Sequence, residues 1–359
     1  MGNGMDIGIF ASSLVSSYWN GAATYYRGVV RAMHSLGHRI TFYEPDAFGR
    51  QEHRDIPDPP WAKVEVYPSS PAGVAGALEK SLAHDVLIKA SGVGVFDQFL
   101  EKAVLECRRP GMLVAFWDVD APATLDRVKN HADDPFGPLI PCYDIILTYG
   151  GGQNVVDAYI ALGAKACVPI YNALDPDEHF PVEADERFQA ELSFLGNRLP
   201  DREARVEEFF LNPAGQCPHR QFLLGGSGWA DKSMSSNIKY VGHVYTRDHN
   251  AFNCTAKAVL NINRESMARN GFSPATRIFE AAGASACIIT DHWTGIEMFL
   301  EPGREVLVAS DGQEVLEHLE RLSMQQAREI GAAARKRVLS EHTYQQRALE
   351  LQKALTGAT

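Results

Sequence analysis

The sequence predicts an α/β fold of parallel sheets and crossover helices, arranged as two domains or as one large one. Three observations carry this. Short apolar, β-rich runs alternate with helical stretches along the whole chain, the pattern of parallel strands joined by helices. The alternation restarts after residues 171–181, whose Asn172, Asp175, Pro176 and Pro181 read as a linker. The length of 359 residues suits two α/β domains or a single large one.

In chain order, strands are expected at 6–10, 39–44, 64–66, 86–89, 112–117, 145–148 and 166–170. Tyr25, Val29, Met33 and Leu36 follow helical spacing, and Gly37 stops that helix. Beyond the linker, strands are expected at 191–195, 221–224, 238–241, 258–263, 287–290 and 305–308. The chain is helical from about residue 313, with terminal helices at 335–339 and 344–355 broken near His342-Thr343. The expected division is 1–172, 173–340, and a final helix over 341–359 that returns to the first domain.

Composition removes several function classes. A net charge of −11 and a pI near 5.6 argue against a nucleic-acid partner, which needs a basic footprint. A small anionic ligand held by a few arginines stays open. No apolar run approaches the roughly 18–20 residues that span a bilayer. A secretory leader is not expected either, since no basic stretch with an apolar core opens the chain. The six cysteines show no C-x-x-C spacing and no Cys/His cluster, so reduced thiols in a cytoplasmic protein without a metal are expected.

The strongest local signal is Asn270-Gly-Phe-Ser-Pro-Ala-Thr-Arg-Ile-Phe-Glu-Ala-Ala-Gly283. Ser273 reads as an N-cap, Pro274 as the first helical residue, and Gly271 as a point of close backbone approach. A helix start offers free N–H groups and partial positive charge to a diphosphate. Thr276 and Arg277 fall in its first turn. Glu280 follows two turns from Ser273 on the same face, roughly 10 Å along the axis, where a carboxylate can accept from a ribose diol. The alternative is a capped helix with an Arg277–Glu280 pair.

Other candidates sit where strands end, the edge at which open α/β sheets bind ligands. Arg264 and Arg269 follow one strand, and each is a phosphate contact or a surface ion pair. Arg198 follows another in Phe194-Leu-Gly-Asn-Arg198 and is a phosphate candidate, while Arg202 is expected to pair on a helix surface. Gly226, in Gly225-Gly-Ser-Gly-Trp229, approaches the nucleoside or only makes a turn. Asp291 binds a sugar hydroxyl or caps a helix starting near Gly295. In the first half, Asn20-Gly21 lies between strand and helix without G-x-G-x-x-G spacing, so it is a turn or lines an acceptor. Asp118 and Asp120 end an apolar strand and are candidates for a general base, or cap a loop.

Over 264–310 the chain resembles the C-terminal domain of GT-B glycosyltransferases. The carriers are Arg277-Ile-Phe-Glu280-Ala-Ala-Gly283, Ile289-Thr-Asp291, Gly295-Ile-Glu-Met-Phe299 and Glu305-Val-Leu. It looks most like the branch related to the spore-maturation protein CgeB. Phe194-Leu-Gly-Asn, Gly242-His243-Val, Asn20-Gly21 and Gly37-His38-Arg39 extend the likeness. The resemblance implies two Rossmann-like domains with a cleft between them and a nucleoside-diphosphate sugar, UDP-, GDP- or dTDP-linked. Glu280 would take the ribose, Gly271–Ser273 the diphosphate, and Arg198 or Arg264 its charge. It implies hexosyl transfer to a hydroxyl acceptor without a metal. One departure is Phe272, which stands where many retaining members carry the first glutamate of E-x7-E. A nucleotide-sugar epimerase and a catalytically silent nucleotide-sugar-binding protein are the alternatives.

Overall fold

The computed structural model describes residues 4–18, 20–131 and 133–358, leaving Trp19 of the Asn20-Gly21 loop outside. Contacts divide the chain into two compact units. One is Met1–Tyr171 with Tyr344–Thr359, and the other is Asn172–Thr343.

The first unit runs β1 (Asp6–Phe10), α1 (Ala23–Ser35), β2 (Arg39–Asp46), β3 (Lys63–Pro68), α2 (Pro71–Ser81), β4 (Val86–Ala90), α3 (Asp97–Glu106), β5 (Leu113–Asp118), α4 (Ala121–Asn130), β6 (Ile145–Thr148), α5 (Gly152–Ala161) and β7 (Cys167–Pro169). Its strands pair in parallel in the order β3-β2-β1-β4-β5-β6-β7. β5 reads Leu-Val-Ala-Phe-Trp-Asp and is buried at every position. Helices covering both faces of a parallel sheet demand such an unalternating apolar run. Phe116 of β5 packs its ring 4.4 Å from Phe136. Truncating so central an aromatic to alanine costs about 3–5 kcal/mol.

The second unit runs β8 (Leu192–Leu195), α6 (Pro200–Val206), α7 (Asn212–Gln216), β9 (Phe222–Gly225), β10 (Ile238–Gly242), α8 (Thr246–Thr255), β11 (Ala258–Asn261), α9 (Glu265–Asn270), α10 (Thr276–Gly283), β12 (Ile288–Asp291), β13 (Leu307–Ala309), α11 (Gly312–Arg321) and α12 (Met324–Glu341). The parallel order is β10-β9-β8-β11-β12-β13. Leu192, Phe194, Leu260 and Ile289 from its central strands join Phe210 and Val315 in one buried cluster.

Two expected elements are shorter than their patterns. The strand at 258–263 stops at Asn261, because the Asn263 N–H turns away to donate to the Asp291 carboxylate. The helix expected near Gly295 is a single 3₁₀ turn, Ile296–Met298, entered through Gly295 at φ +95°. The last helix, α13 (Tyr344–Gly357), packs in the first unit. Gly28 of α1 makes room for it: a Cβ there would lie 2.2 Å from the Tyr344 ring.

Candidate functional site

In a doubly wound sheet the ligand crevice lies beyond the strand C-termini where the strand order reverses. In the Asn172–Thr343 unit that point falls between β8 and β11. Gly196 follows β8 there. A Cβ built on Gly196 would sit 3.1 Å from Arg202 Nη1 and 3.1 Å from Arg277 Nη2, so two guanidiniums converge on one point. Arg277 reaches it from the first turn of α10. Its Nε donates to the Leu195 carbonyl at 2.6 Å and its Nη1 to Asn261 Oδ1 at 3.0 Å. Arg202 reaches it from the first turn of α6, and its Nε is buried without a partner.

Among the described residues neither arginine has a carboxylate within ion-pair distance. Burial pulls the Arg202 guanidinium down to about 9, helped by the charges of Arg277 and Arg264. Burial lowers Arg277 as well, against the opposing pull of Glu280 and Asp291. Two partly buried cations side by side without counter-charge are expensive unless an anion joins them.

This arrangement reverses the expectation for the β8 loop. Arg198 is not open to phosphate. Glu203 grips it through two hydrogen bonds of 2.8 and 2.7 Å, and Asp231 takes Nη1 at 3.0 Å. Arg202, expected in a surface pair, is the residue turned inward. A signal was present in the spacing: Pro200 starts α6, which places Arg202 in the first turn of a helix that begins at the crevice. Arg264 joins from the β11 loop, with its Nε on Asp201 at 2.6 Å.

The helix after Asn270 also starts differently from expectation. Ser273 does not cap it; its hydroxyl donates to the Gly271 carbonyl at 2.9 Å. Pro274 is not helical, Ala275 is the N-cap, and Thr276 opens the helix. The cause is a sharp reversal at Gly271 (φ +68°) and Phe272 (φ +45°). The loop is stapled to the turn after β12, where the Phe272 N–H donates to the Thr294 carbonyl at 2.7 Å. A Cβ on Gly271 would lie 2.9 Å from that same carbonyl, so the close approach made there is to Thr294. Asn172 donates to Thr276 Oγ1 at 3.0 Å and fixes the helix start. Asn270 lies exposed at the end of α9, bonded to the Ser266 carbonyl.

Glu280 lies four residues after Thr276, about 6 Å along the axis. Its side chain is 19% exposed, and His179 Nε2 lies 3.8 Å from its Oε1. Among the described residues no hydrogen bond reaches its carboxylate, and the expected Arg277–Glu280 pair is not formed. Its oxygens keep a path to solvent and are open to donors from a ligand.

Asp291 serves neither of its expected roles. It is fully buried, and its oxygens accept from Arg205 Nη2 at 2.7 Å, Thr290 Oγ1 at 3.2 Å and the Asn263 N–H. Gly226 leaves room for protein backbone: a Cβ there would lie 2.2 Å from the Gly196 carbonyl. Arg269 is exposed on α9.

In the first unit, Asp118 is fully buried. It accepts from Ser91 Oγ at 2.8 Å, Thr124 Oγ1 at 3.0 Å, the Asp120 N–H at 3.0 Å and the Tyr159 hydroxyl. Held by four donors and with no solvent access, it cannot serve as a base toward an outside hydroxyl. Asp120 is exposed at the N-cap position of α4 and makes no capping bond. Asn20 is buried, donating to the Ser13 and Ser16 carbonyls and accepting from Ser12, which makes it a loop fastener. Gly21 is exposed with open space around it.

Among the described residues no group of three or more His, Cys, Asp and Glu is placed to hold a metal ion, and no helix is long and apolar enough to cross a membrane.

Residues 202–353 match the family described as Glycosyl transferase-like. No curated protein matches the chain by sequence. In structure the chain is similar to HepE of Anabaena in complex with UDP and glucose. The TM-score is 0.70 at 12% identity, over 98% of this chain and 100% of that one. Sucrose-phosphate synthase of Thermosynechococcus elongatus gives 0.69 at 13%, over 99% and 100%. T4 phage BGT in complex with UDP-glucose gives 0.61 at 10%, over 99% of each chain. At such identities the likeness shows the fold, which is GT-B. The matched segment, which contains Arg202, Arg264, Arg277 and Glu280, makes the chain an enzyme of the glycosyltransferase type.

Proposed function

We propose that the chain transfers a hexosyl group from a nucleoside-diphosphate sugar to a hydroxyl acceptor, with the donor held by the Asn172–Thr343 unit. One observation carries the reading. At the switch point, Arg202 and Arg277 lack carboxylates while Glu280 lacks donors. A ligand with a diphosphate and a ribose diol suits both at once. The neighbours in complex with UDP or UDP-glucose support this class of donor.

In this reading Arg202, Arg277 and the first N–H groups of α10 hold the diphosphate, with Arg264 beside them. Glu280 accepts from the ribose diol. The acceptor oxygen attacks the anomeric carbon, the bond from that carbon to the diphosphate oxygen breaks, and the acceptor proton passes to a base. Charge growing on the leaving diphosphate meets two fixed guanidiniums and a helix start, which stabilises departure without a metal. Asp120 is the base we favour, as the exposed member of the Asp118/Asp120 pair. Gly21 is the acceptor-side position retained from the first unit. The motifs around Glu280 favour the CgeB-related branch, with Phe272 in place of a first glutamate. Six unpaired thiols fit a reducing compartment such as the cytoplasm.

Calorimetric titration with UDP and GDP, comparing wild type with Glu280→Ala, tests the reading. Loss of a charge-assisted contact of about 1.5–3 kcal/mol lowers affinity about 10- to 150-fold. Unchanged affinity would sink the ribose assignment.

A further inference from the structure

We infer that His179 is a positioning residue for the ribose carboxylate, holding Glu280 so that its free lone pairs face the diol. The inference rests on the reading of Glu280 given above. His179 precedes β8 and packs beneath α10, where a Cβ on Gly283 would lie 2.9 Å from the His179 carbonyl and 3.3 Å from its Cβ. The ring is 7% exposed, and its Nε2 lies 3.8 Å from Glu280 Oε1.

The tautomer follows from the other nitrogen. Nδ1 is buried and has no hydrogen-bond partner. A proton there would be a donor with nothing to donate to, which costs more than an unmet lone pair. The ring proton is therefore placed on Nε2, directed at Glu280. His249 on α8 also lies within Coulombic reach of Glu280, but its Nε2 faces the Val244 carbonyl at 3.2 Å. His243 packs edge-on against Tyr245, with centroids 4.8 Å apart. His179 is thus the imidazole left to direct the carboxylate. Without it, the Glu280 side chain can swing among rotamers, and the diol meets a carboxylate that must be ordered on binding.

The test compares wild type, His179→Phe and His179→Gln. Phenylalanine keeps the packing and removes the N–H; glutamine returns an amide donor near the Nε2 position. Affinities are measured for UDP and 2′-deoxy-UDP, and for GDP and 2′-deoxy-GDP, with melting temperatures alongside. The expected result is a 3- to 10-fold loss of ribonucleotide affinity in His179→Phe, little change for the deoxy forms, and recovery in His179→Gln. Equal loss for ribo- and deoxynucleotides, or an unchanged ratio between them, overturns the inference. Glu280→Ala separates the two layers. If it collapses the ratio and His179→Phe does not, only the role of His179 fails. If Glu280→Ala also leaves the ratio intact, the ribose assignment fails and takes this inference with it.

Discussion

Replacing Arg202 by methionine should make the ligand-free protein more stable and the nucleotide complex weaker. Methionine keeps the unbranched stem and deletes the charge. In the folded chain the guanidinium is pulled down to about 9 by burial and by Arg277 and Arg264. Arginine holds its proton at pH 7, so the unfavourable surroundings are expressed as lost stability of the fold. Measured against the ordinary arginine value, the upper bound is about 4–5 kcal/mol. Arg202 is only half-buried, and solvent screening brings a realistic gain to about 1–3 kcal/mol. For a unit of this size that raises the melting temperature by about 2–10 °C.

The same substitution removes one charged contact to the diphosphate, worth about 1.5–3 kcal/mol, and so weakens UDP or GDP about 10- to 150-fold. Scanning calorimetry with and without nucleotide reads both effects. Wild type should gain stability with nucleotide by mass action, and the variant should gain far less. Arg198→Ala is the control: its charge is already met by Glu203 and Asp231, so affinity should stay within about two-fold. A variant at Arg202 that melts lower and binds nucleotide as before would refute the idea that its charge is kept for a ligand.

Two further outcomes follow from the same contacts. Asp118→Asn should lower the melting temperature through loss of about 2–4 kcal/mol, since it disturbs four buried donors, while kcat per folded molecule changes little. Asp120→Asn should do the opposite, leaving melting unchanged and lowering kcat about 100-fold or more with donor KM intact; full activity in this variant would place the base elsewhere. Gly271→Ala forces a side chain into φ +68° and against the Thr294 carbonyl, costing about 1–3 kcal/mol in thermal unfolding and loosening the loop that carries Phe272 and Ser273.

Much of the fold was legible because buried parallel strands leave a plain record. The Leu-Val-Ala-Phe-Trp run of β5 and the Ile-Ile-Thr-Asp run of β12 have one reading once helices flank them. Gly37 and the pair His342-Thr343 marked helix ends that chain geometry requires there. The site was legible only in part, because its decisive contacts are long-range. Local spacing offers only Pro200 at the start of α6; the choice also depends on Asp231, 33 residues on, accepting from Arg198 while Arg202 is left to Gly196. Ser273-Pro274 carries the composition of a helix start, yet the left-handed Phe272 and the pull of Thr294 delay the helix to Thr276. Asp291 resembled a ligand residue because its partner, Arg205, lies 86 residues away.

The two units share a strand order around their switch points, so topology alone does not say which binds the donor. Charge balance favours the second. In the first unit Glu44, Lys89 and Asp118 near the switch are closed upon the protein, although Arg50 Nε there is buried without a partner. Glu44 accepts from the Leu14 N–H at 2.6 Å, Ser13 Oγ at 3.1 Å and Gln51 Nε2 at 2.6 Å. Lys89, with no exposed surface, is met by Asp97 at 2.7 Å, and Asp118 by its four donors. Such closed networks fix loops and have nothing left over for a substrate. In the second unit the books do not balance: two guanidiniums without carboxylates stand near a carboxylate without donors. Selection for stability alone would remove that pattern, since replacing any member by an apolar residue relieves it. Its presence on one unit is the reason to assign the nucleotide there. In the reading proposed above, the first unit's part in the chemistry falls to exposed groups such as Asp120 and Gly21.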